Sequence, residues 1–289
     1  MPELPEVETV KRGLEPAMTQ RRIATVDQQR PDLRFPFPDK FADHLRGALI
    51  TRLDRRAKYL LIHITTRDDA EMVWISHLGM TGRFAIERGQ HAVQPGQFHN
   101  QADGGAHRHL IIQLDDATQI VYIDPRRFGF MDLLPVAELS HYRGFKNLGP
   151  EPNQDLTPEM LATRLAGKKT PIKSALLDQT IVAGLGNIYV CEALYRARIS
   201  PRRLSSTIGR QRLARLVPAI IAVIEEAILA GGSTLRDFKH EDGSLGYFQH
   251  QFAVYDRAGA PCQRAGCRGT VRRIVQAGRS SFYCGQCQK

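Results

Sequence analysis

An α+β chain with more than one domain is predicted by three observations. Short alternating or β-branched runs crowd the first 134 residues, apolar positions three and four apart dominate after Pro150, and four cysteines bracket the last stretch. At 289 residues the chain has room for two hydrophobic cores and a small additional module, at about 100 to 200 residues per domain.

The first element is a helix. Pro5 suits a first turn, Glu6 and Glu8 lie near its positive end, and Val7, Val10 and Leu14 recur at spacings of three and four, so an amphipathic helix ending near Gly13 and Pro16 is predicted. Strands follow at 22–28, 48–53, 59–64, 72–76, 83–86, 110–114, 119–123 and 128–134, whose patterning predicts a two-layer antiparallel sandwich. The polar stretch 87–106, rich in Gly, Gln and His, reads as a long surface loop.

Beyond Pro150 the period changes. Thr157-Pro158 starts one helix, 173–179 and 187–197 form two more, and Leu213, Leu216, Val217, Ile220, Ile224, Ala227 and Ile228 mark a longer helix stopped by Gly231-Gly232. Pro218 is expected to kink that helix or to lie near its start. Between two of these helices, Ile181-Val182-Ala183-Gly184-Leu185-Gly186-Asn187 is expected to form a double turn. No strand precedes it and a third glycine is missing, which argues against a dinucleotide loop. Either an ordinary inter-helix connection or an anion-binding helix start suited to a DNA phosphate fits it.

Cys262-x4-Cys267, sixteen intervening residues, then Cys284-x2-Cys287 place two thiol pairs on either side of a strand–turn–strand segment. The spacing is that of a structural zinc site with four thiolates, two disulfides being the alternative. No signal peptide or transmembrane run is visible, so a reduced, cytoplasmic chain with one Zn2+ and no membrane partner is expected. Cys191 reads as a small buried hydrophobe. The formal net charge is +10, and from Cys262 to Lys289 there are six basic residues and no acidic one. A rigid cationic hairpin favours nucleic acid as the partner over a merely solvated face.

Removal of Met1 leaves Pro2 with a secondary amine. Attack of such an amine on an aldehydic carbon gives an iminium, which draws electrons from the neighbouring bond. The adjacent helix start disfavours its protonation, while Glu3 and Glu6 push the other way, and Glu3 is the nearest carboxyl able to hand a proton to a reacting sugar oxygen.

Seven motifs in order carry a resemblance to the formamidopyrimidine-DNA glycosylase family: Pro2-Glu3-Leu4-Pro5-Glu6-Val7-Glu8, Arg55-Arg56-Ala57-Lys58-Tyr59-Leu60, His77-Leu78-Gly79-Met80, Asp124-Pro125-Arg126-Arg127-Phe128-Gly129, Gly184-Leu185-Gly186-Asn187-Ile188-Tyr189, Gly243-Ser244-Leu245-Gly246-Tyr247-Phe248 and the cysteine hairpin. That resemblance implies a β-sandwich with an N-terminal helix over 1–134, a linker over 135–150, a helical domain with a helix–two-turn–helix and a lesion-capping loop over 151–250, and a zinc hairpin over 251–289. It implies a monomer on damaged double-stranded DNA, excising oxidised purines and cutting the strand by β,δ-elimination. Pro2 is then the Schiff-base nucleophile, Glu3 the acid that assists ring opening, and Lys58 and Arg279 the proton donors for the two eliminations. Met80, Arg126 and Phe128 fill the stack vacated by the extruded base, while His107, Lys168 and Asn187 contact DNA. Arg236, in the capping loop, stands where some members carry lysine. The endonuclease VIII branch, which prefers oxidised pyrimidines, and a noncatalytic zinc-containing DNA-binding protein are the competing readings; Leu4 stands where that branch has glycine.

Overall fold

The computed structural model describes residues 2–89, 91–95, 105–153, 156–232 and 252–289. The expected capping loop with Arg236 and the Gly243–Phe248 motif lie outside the described residues. The described residues fall into two compact units, one of 2–146 with Gly231 and Gly232, the other of 147–230 and 252–289.

The first unit opens with α1 (Leu4–Met18), capped by Glu3 in a reciprocal capping box with Glu6. The helix does not stop near Gly13 and Pro16 as the sequence suggested. Leu14, Ala17 and Met18 are buried, and this packing carries the helix to Thr19 with Pro16 inside its last turn. Two antiparallel sheets follow. One runs β1-β7-β8-β5-β6 and the other β2-β3-β4-β9, with β1 (Ile23–Gln28), β2 (Leu49–Arg56), β3 (Tyr59–Thr65), β4 (Glu71–His77), β5 (Arg83–Arg88), β6 (His91–Val93), β7 (Arg108–Leu114), β8 (Gln119–Ile123) and β9 (Phe130–Pro135). Between the sheets and α1 lies one core built on Trp74, Phe84, Tyr122, Phe41, Leu14 and Ile62. Each fully buried aliphatic side chain there contributes roughly 1.5–3 kcal/mol.

Two corrections concern the sandwich. The stretch 87–106 is not loop throughout: His91–Val93 pairs with β5 as an exposed edge strand, which alternation could not reveal because no face of it is buried. The strand expected from 128 begins only at Phe130, leaving Phe128 in the preceding turn. A short helix, α2 (Phe41–Leu45), was missed because only Phe41 and Leu45 are buried along it.

The second unit is helical: α3 (Pro158–Leu165, with the Thr157 hydroxyl accepting from Met160 N–H), α4 (Ile172–Leu177), α5 (Asn187–Arg196) and α6 (Arg210–Leu229). Pro218 sits well inside α6, not near its start. Having no N–H, it cannot donate to the Ala214 carbonyl, and the buried row Leu213–Leu216–Val217–Ile220 holds the helix regardless. The chain closes on the hairpin β10 (Val271–Gln276) and β11 (Arg279–Cys284). No helix among the described residues is long and apolar enough to cross a membrane.

Candidate active site

In the first unit, Pro2 is buried directly before α1, and Glu3 and Glu6 are 3 and 2 % exposed. The Glu3 N–H donates to Glu6 Oε2 at 2.8 Å, while the Glu3 carboxylate accepts the Glu6 N–H. The capping box therefore fixes Glu3 at the helix start, next to the residue whose amine is exposed by removal of Met1.

Lys58 lies in the two-residue turn between β2 and β3, where Arg56 pairs with Tyr59. A lysine in such a turn is ordinarily solvated, yet Lys58 is only 7 % exposed. Ala57 adopts a left-handed conformation (φ 52°), and its carbonyl accepts from Arg55 Nη1 at 3.0 Å. Arg55 Nε donates to Glu8 Oε2 at 2.9 Å, both side chains being largely buried. Burial alone would push the Glu8 carboxyl up, but its hydrogen bonds from Arg55 and Arg12 hold it below the ordinary carboxylate range. One guanidinium thus ties α1, with Pro2 and Glu3 at its head, to the turn that carries Lys58.

His77 ends β4 and stacks on Phe130 with ring centroids 5.2 Å apart. Burial, then the charges of Lys58 and Arg34, push its pKa down to about 4, so the ring is neutral and its Nδ1 accepts the Gly79 N–H at 3.1 Å. The following turn presents Met80. Across from it, the β8–β9 turn presents Arg126 and Phe128, both exposed, with the guanidinium 4.5 Å above the ring. Phe128, at 42 % exposure, is not a core residue. His107 falls immediately before β7, and its carbonyl accepts the Asp124 N–H at 3.1 Å. It therefore lies at the end of the sheet that carries Arg126.

In the second unit, Asn187 opens α5 and its Nδ2 donates to the Ser280 carbonyl at 3.0 Å. Lys173, fully buried on α4, donates to the same carbonyl at 2.8 Å. Two side chains about a hundred residues upstream thus set the hairpin at Arg279, whose own side chain is exposed. Sequence reading missed Lys173; its only signal was a lysine among the apolar positions of α4. It also missed Tyr255, whose hydroxyl accepts from Asn187 Nδ2 at 3.5 Å and whose backbone N–H donates to buried Glu192. Lys168 lies elsewhere in the unit, 3.9 Å from Asp178.

The four cysteine sulfurs lie within 4.8 Å of one another. Cys262–Cys287 and Cys267–Cys284 are 3.8 and 3.7 Å apart. A tetrahedral zinc with Zn–S of about 2.3 Å needs edges of about 3.8 Å, so the thiols fit the ion and are far too distant for disulfides. Burial and the neighbouring sulfurs push the Cys287 thiol up to about 12, and a cation is what lets four adjacent thiols ionise together. Cys191 is buried nearby in the same small apolar cluster, as expected.

Comparison with known proteins matches the chain domain by domain. Residues 1–131 match the family model of the formamidopyrimidine-DNA glycosylase N-terminal domain, 148–239 that of the formamidopyrimidine-DNA glycosylase H2TH domain, and 259–289 that of the zinc finger found in FPG and IleRS. The chain is 53% identical over 296 residues to the formamidopyrimidine-DNA glycosylase of Beijerinckia indica and 52% identical over 291 residues to that of Ruegeria pomeroyi, with all of each chain covered. It is similar to the solved Lactococcus lactis Fpg in complex with abasic-site DNA (TM-score 0.85, 32% identity, 99% of each chain) and to MutM in complex with DNA containing carbocyclic 8-oxo-G (TM-score 0.84, 31% identity, all of each chain). With its proline-led helix, two-sheet sandwich, helical unit and four-thiol hairpin matched end to end, the chain belongs to the formamidopyrimidine-DNA glycosylase family.

Proposed function

We propose that this protein is a bifunctional base-excision repair enzyme, a DNA glycosylase that removes oxidised purines and a lyase that cuts the strand at the resulting abasic site. The observation that carries the chemistry is the buried Lys58, held by the Arg55–Glu8 ion pair to the helix that Pro2 and Glu3 lead. Solvating that lysine would be easier than burying it, so its placement favours a chemical task.

In this reading the Pro2 nitrogen attacks C1′ as the glycosidic bond breaks and the base departs with the bonding electrons. Glu3 protonates the sugar ring oxygen as the ring opens, and the resulting iminium acidifies C2′. Lys58 and Arg279 serve the successive eliminations of the two flanking phosphates. Bound zinc supplies structure, holding the hairpin rigid behind Arg279. Met80, Arg126 and Phe128 occupy the space the target base leaves, the thioether and ring as wedges and the guanidinium as a donor to the orphaned partner base. Asn187, His107 and Lys168 grip the backbone. The protein acts as a monomer on chromosomal DNA in the cytoplasm.

Duplexes bearing 8-oxoguanine, a formamidopyrimidine or an oxidised pyrimidine test the substrate class. Oxidised purines are expected to be excised with the higher kcat/KM. Preference for the pyrimidine would instead indicate endonuclease VIII-like specificity, and binding without any incision would indicate a noncatalytic protein.

The wedge has its own test. Because Phe128 is largely solvent-facing, Phe128→Ala is expected to alter stability by less than about 1 kcal/mol, whereas a core phenylalanine loses roughly 3 to 5 kcal/mol. Excision from duplex is expected to fall about tenfold or more, since extruding a base costs a few kcal/mol. A collapsed Tm with normal excision would return Phe128 to the core.

A further inference from the structure

Two separate turns deliver the wedge, one between β4 and β5 and one between β8 and β9, each crossing from one sheet to the other, and they are joined by a single buried carboxylate. Asp124 is fully buried at the end of β8. Its Oδ1 accepts from the Thr81 hydroxyl at 2.5 Å, in the turn that carries Met80. Its Oδ2 accepts from the Gly129 N–H at 2.8 Å and from the Tyr122 hydroxyl at 3.3 Å, closing its own turn around Arg126 and Phe128. The Asp124 carbonyl accepts the Arg127 N–H at 3.1 Å and bonds His109 Nε2 at 2.9 Å.

Thr81 completes the circuit. While its hydroxyl donates to Asp124, the same oxygen accepts the Arg126 N–H at 3.2 Å. One hydroxyl thus bridges the backbone of one turn to the carboxylate of the other. The two turns also meet backbone to backbone: a Cβ at Gly79 (φ +62°) would overlap the Phe128 carbonyl and the Gly129 nitrogen, and one at Gly129 would overlap the Tyr122 hydroxyl. Only glycine permits the closeness at either place.

We propose that Asp124 is a positioning residue for base extrusion: through Thr81 it locks the Met80 turn and the Arg126–Phe128 turn into one preformed wedge. The proposal rests on the wedge reading given above and adds the device that makes the wedge rigid. Inserting side chains between stacked bases yields useful work only if the inserting turns do not themselves give way, and a buried carboxylate with several converging donors is stiff. The Asp124 carboxylate and the Thr81 hydroxyl are taken up by each other, Gly129, Tyr122 and the Arg126 N–H, and neither belongs to the Pro2–Glu3–Lys58 chemistry proposed above, so steps that need no extrusion are expected to be independent of them.

The test compares a substrate that must be opened with one already open. Thr81→Val keeps the side-chain shape and removes the bridging hydroxyl; Asp124→Asn keeps the shape and turns one acceptor into a donor facing a donor. Each is assayed on duplex 8-oxoguanine excision, on cleavage of an abasic site in a single strand, and by 2-aminopurine fluorescence beside the lesion, with Phe128→Ala in parallel. The expected result is that both variants lose about tenfold or more on duplex and show a slowed fluorescence rise, because an unsatisfied buried group loosens both turns. Single-strand cleavage is expected to change by less than about threefold, since base extrusion is bypassed there. Equal losses on both substrates, or duplex excision unchanged in Thr81→Val, would overturn the role of Asp124. If Asp124→Asn fails to fold, the Thr81→Val comparison decides alone. Should Phe128→Ala also spare duplex excision, the wedge assignment itself falls; should it impair duplex excision while Thr81→Val does not, only the Asp124 proposal falls.

Discussion

Adding one residue before Pro2 is expected to abolish borohydride trapping on abasic or oxidised-purine DNA and to reduce strand cutting to background. The expectation follows from the chemistry of a secondary amine. Once Pro2 is acylated it has neither a lone pair available for attack nor the capacity to form an iminium, and hydride has nothing to reduce. In the unextended protein, trapping is expected to link DNA to Pro2, and uninterrupted reaction is expected to leave a one-nucleotide gap as both flanking phosphates are eliminated. DNA affinity of the extended form is expected to stay within about threefold, because the phosphate-contacting cations are untouched. Mass spectrometry of the N-terminus establishes whether Met1 has been removed in the preparation used. If the extended protein still traps and cuts, a lysine such as Lys58 is the nucleophile and the assignment of Pro2 is wrong. Because Pro2 is buried at the head of α1, circular dichroism and a gel shift accompany the assay as controls for folding and affinity.

Removing the zinc is expected to have the second largest effect. Chelation, or Cys262→Ala, should abolish specific DNA binding while the two-sheet unit stays folded. The hairpin rests on a small apolar cluster around Val271, Phe282, Val254 and the cysteines themselves, too little to hold it without the ion. Metal binding therefore supplies its folding free energy. The Tyr195 hydroxyl lies 3.4 Å from Cys262 Sγ, and Arg264 donates to the Tyr195 carbonyl at 2.7 Å, so loss of the metal also loosens the hairpin's seat on α5. With it go the six cationic residues between Cys262 and Lys289. The salt dependence of any residual binding should be shallower, by about 0.9 in the log–log slope for each DNA phosphate that the hairpin no longer neutralises. Metal-free protein that binds with unchanged affinity and slope would show that the hairpin is dispensable for DNA.

Much of this was legible in the residues because it depends on local patterns. Among the described residues, alternation and β-branching located eight of the nine strands of the sandwich, missing only β6, where all three residues are exposed and no periodicity arises. Cysteine spacing identified the metal site, since a tetrahedral ion fixes how much chain separates its ligands. Boundaries were weaker: α1 runs to Met18 because tertiary packing of Leu14, Ala17 and Met18 outweighs a glycine and a proline. Phe128 was drawn into a strand because an apolar residue before Phe130 and Met131 looks like more of the same run.

By itself, then, the sequence determined which groups are present and their order along the chain: a proline-led helix, a lysine in a basic turn, a methionine turn and an Arg–Phe turn, four thiols on a cationic hairpin. Each is a property of neighbouring residues. Tertiary structure alone decided which of these groups are buried and what they touch. It buries Lys58 and exposes Phe128, brings Lys173 and Asn187 to one carbonyl on the hairpin, and makes Asp124 the joint between two turns. The physical reason is that desolvation and hydrogen-bond partners are set by residues tens to a hundred positions apart, and a window of sequence contains only one side of each such pairing.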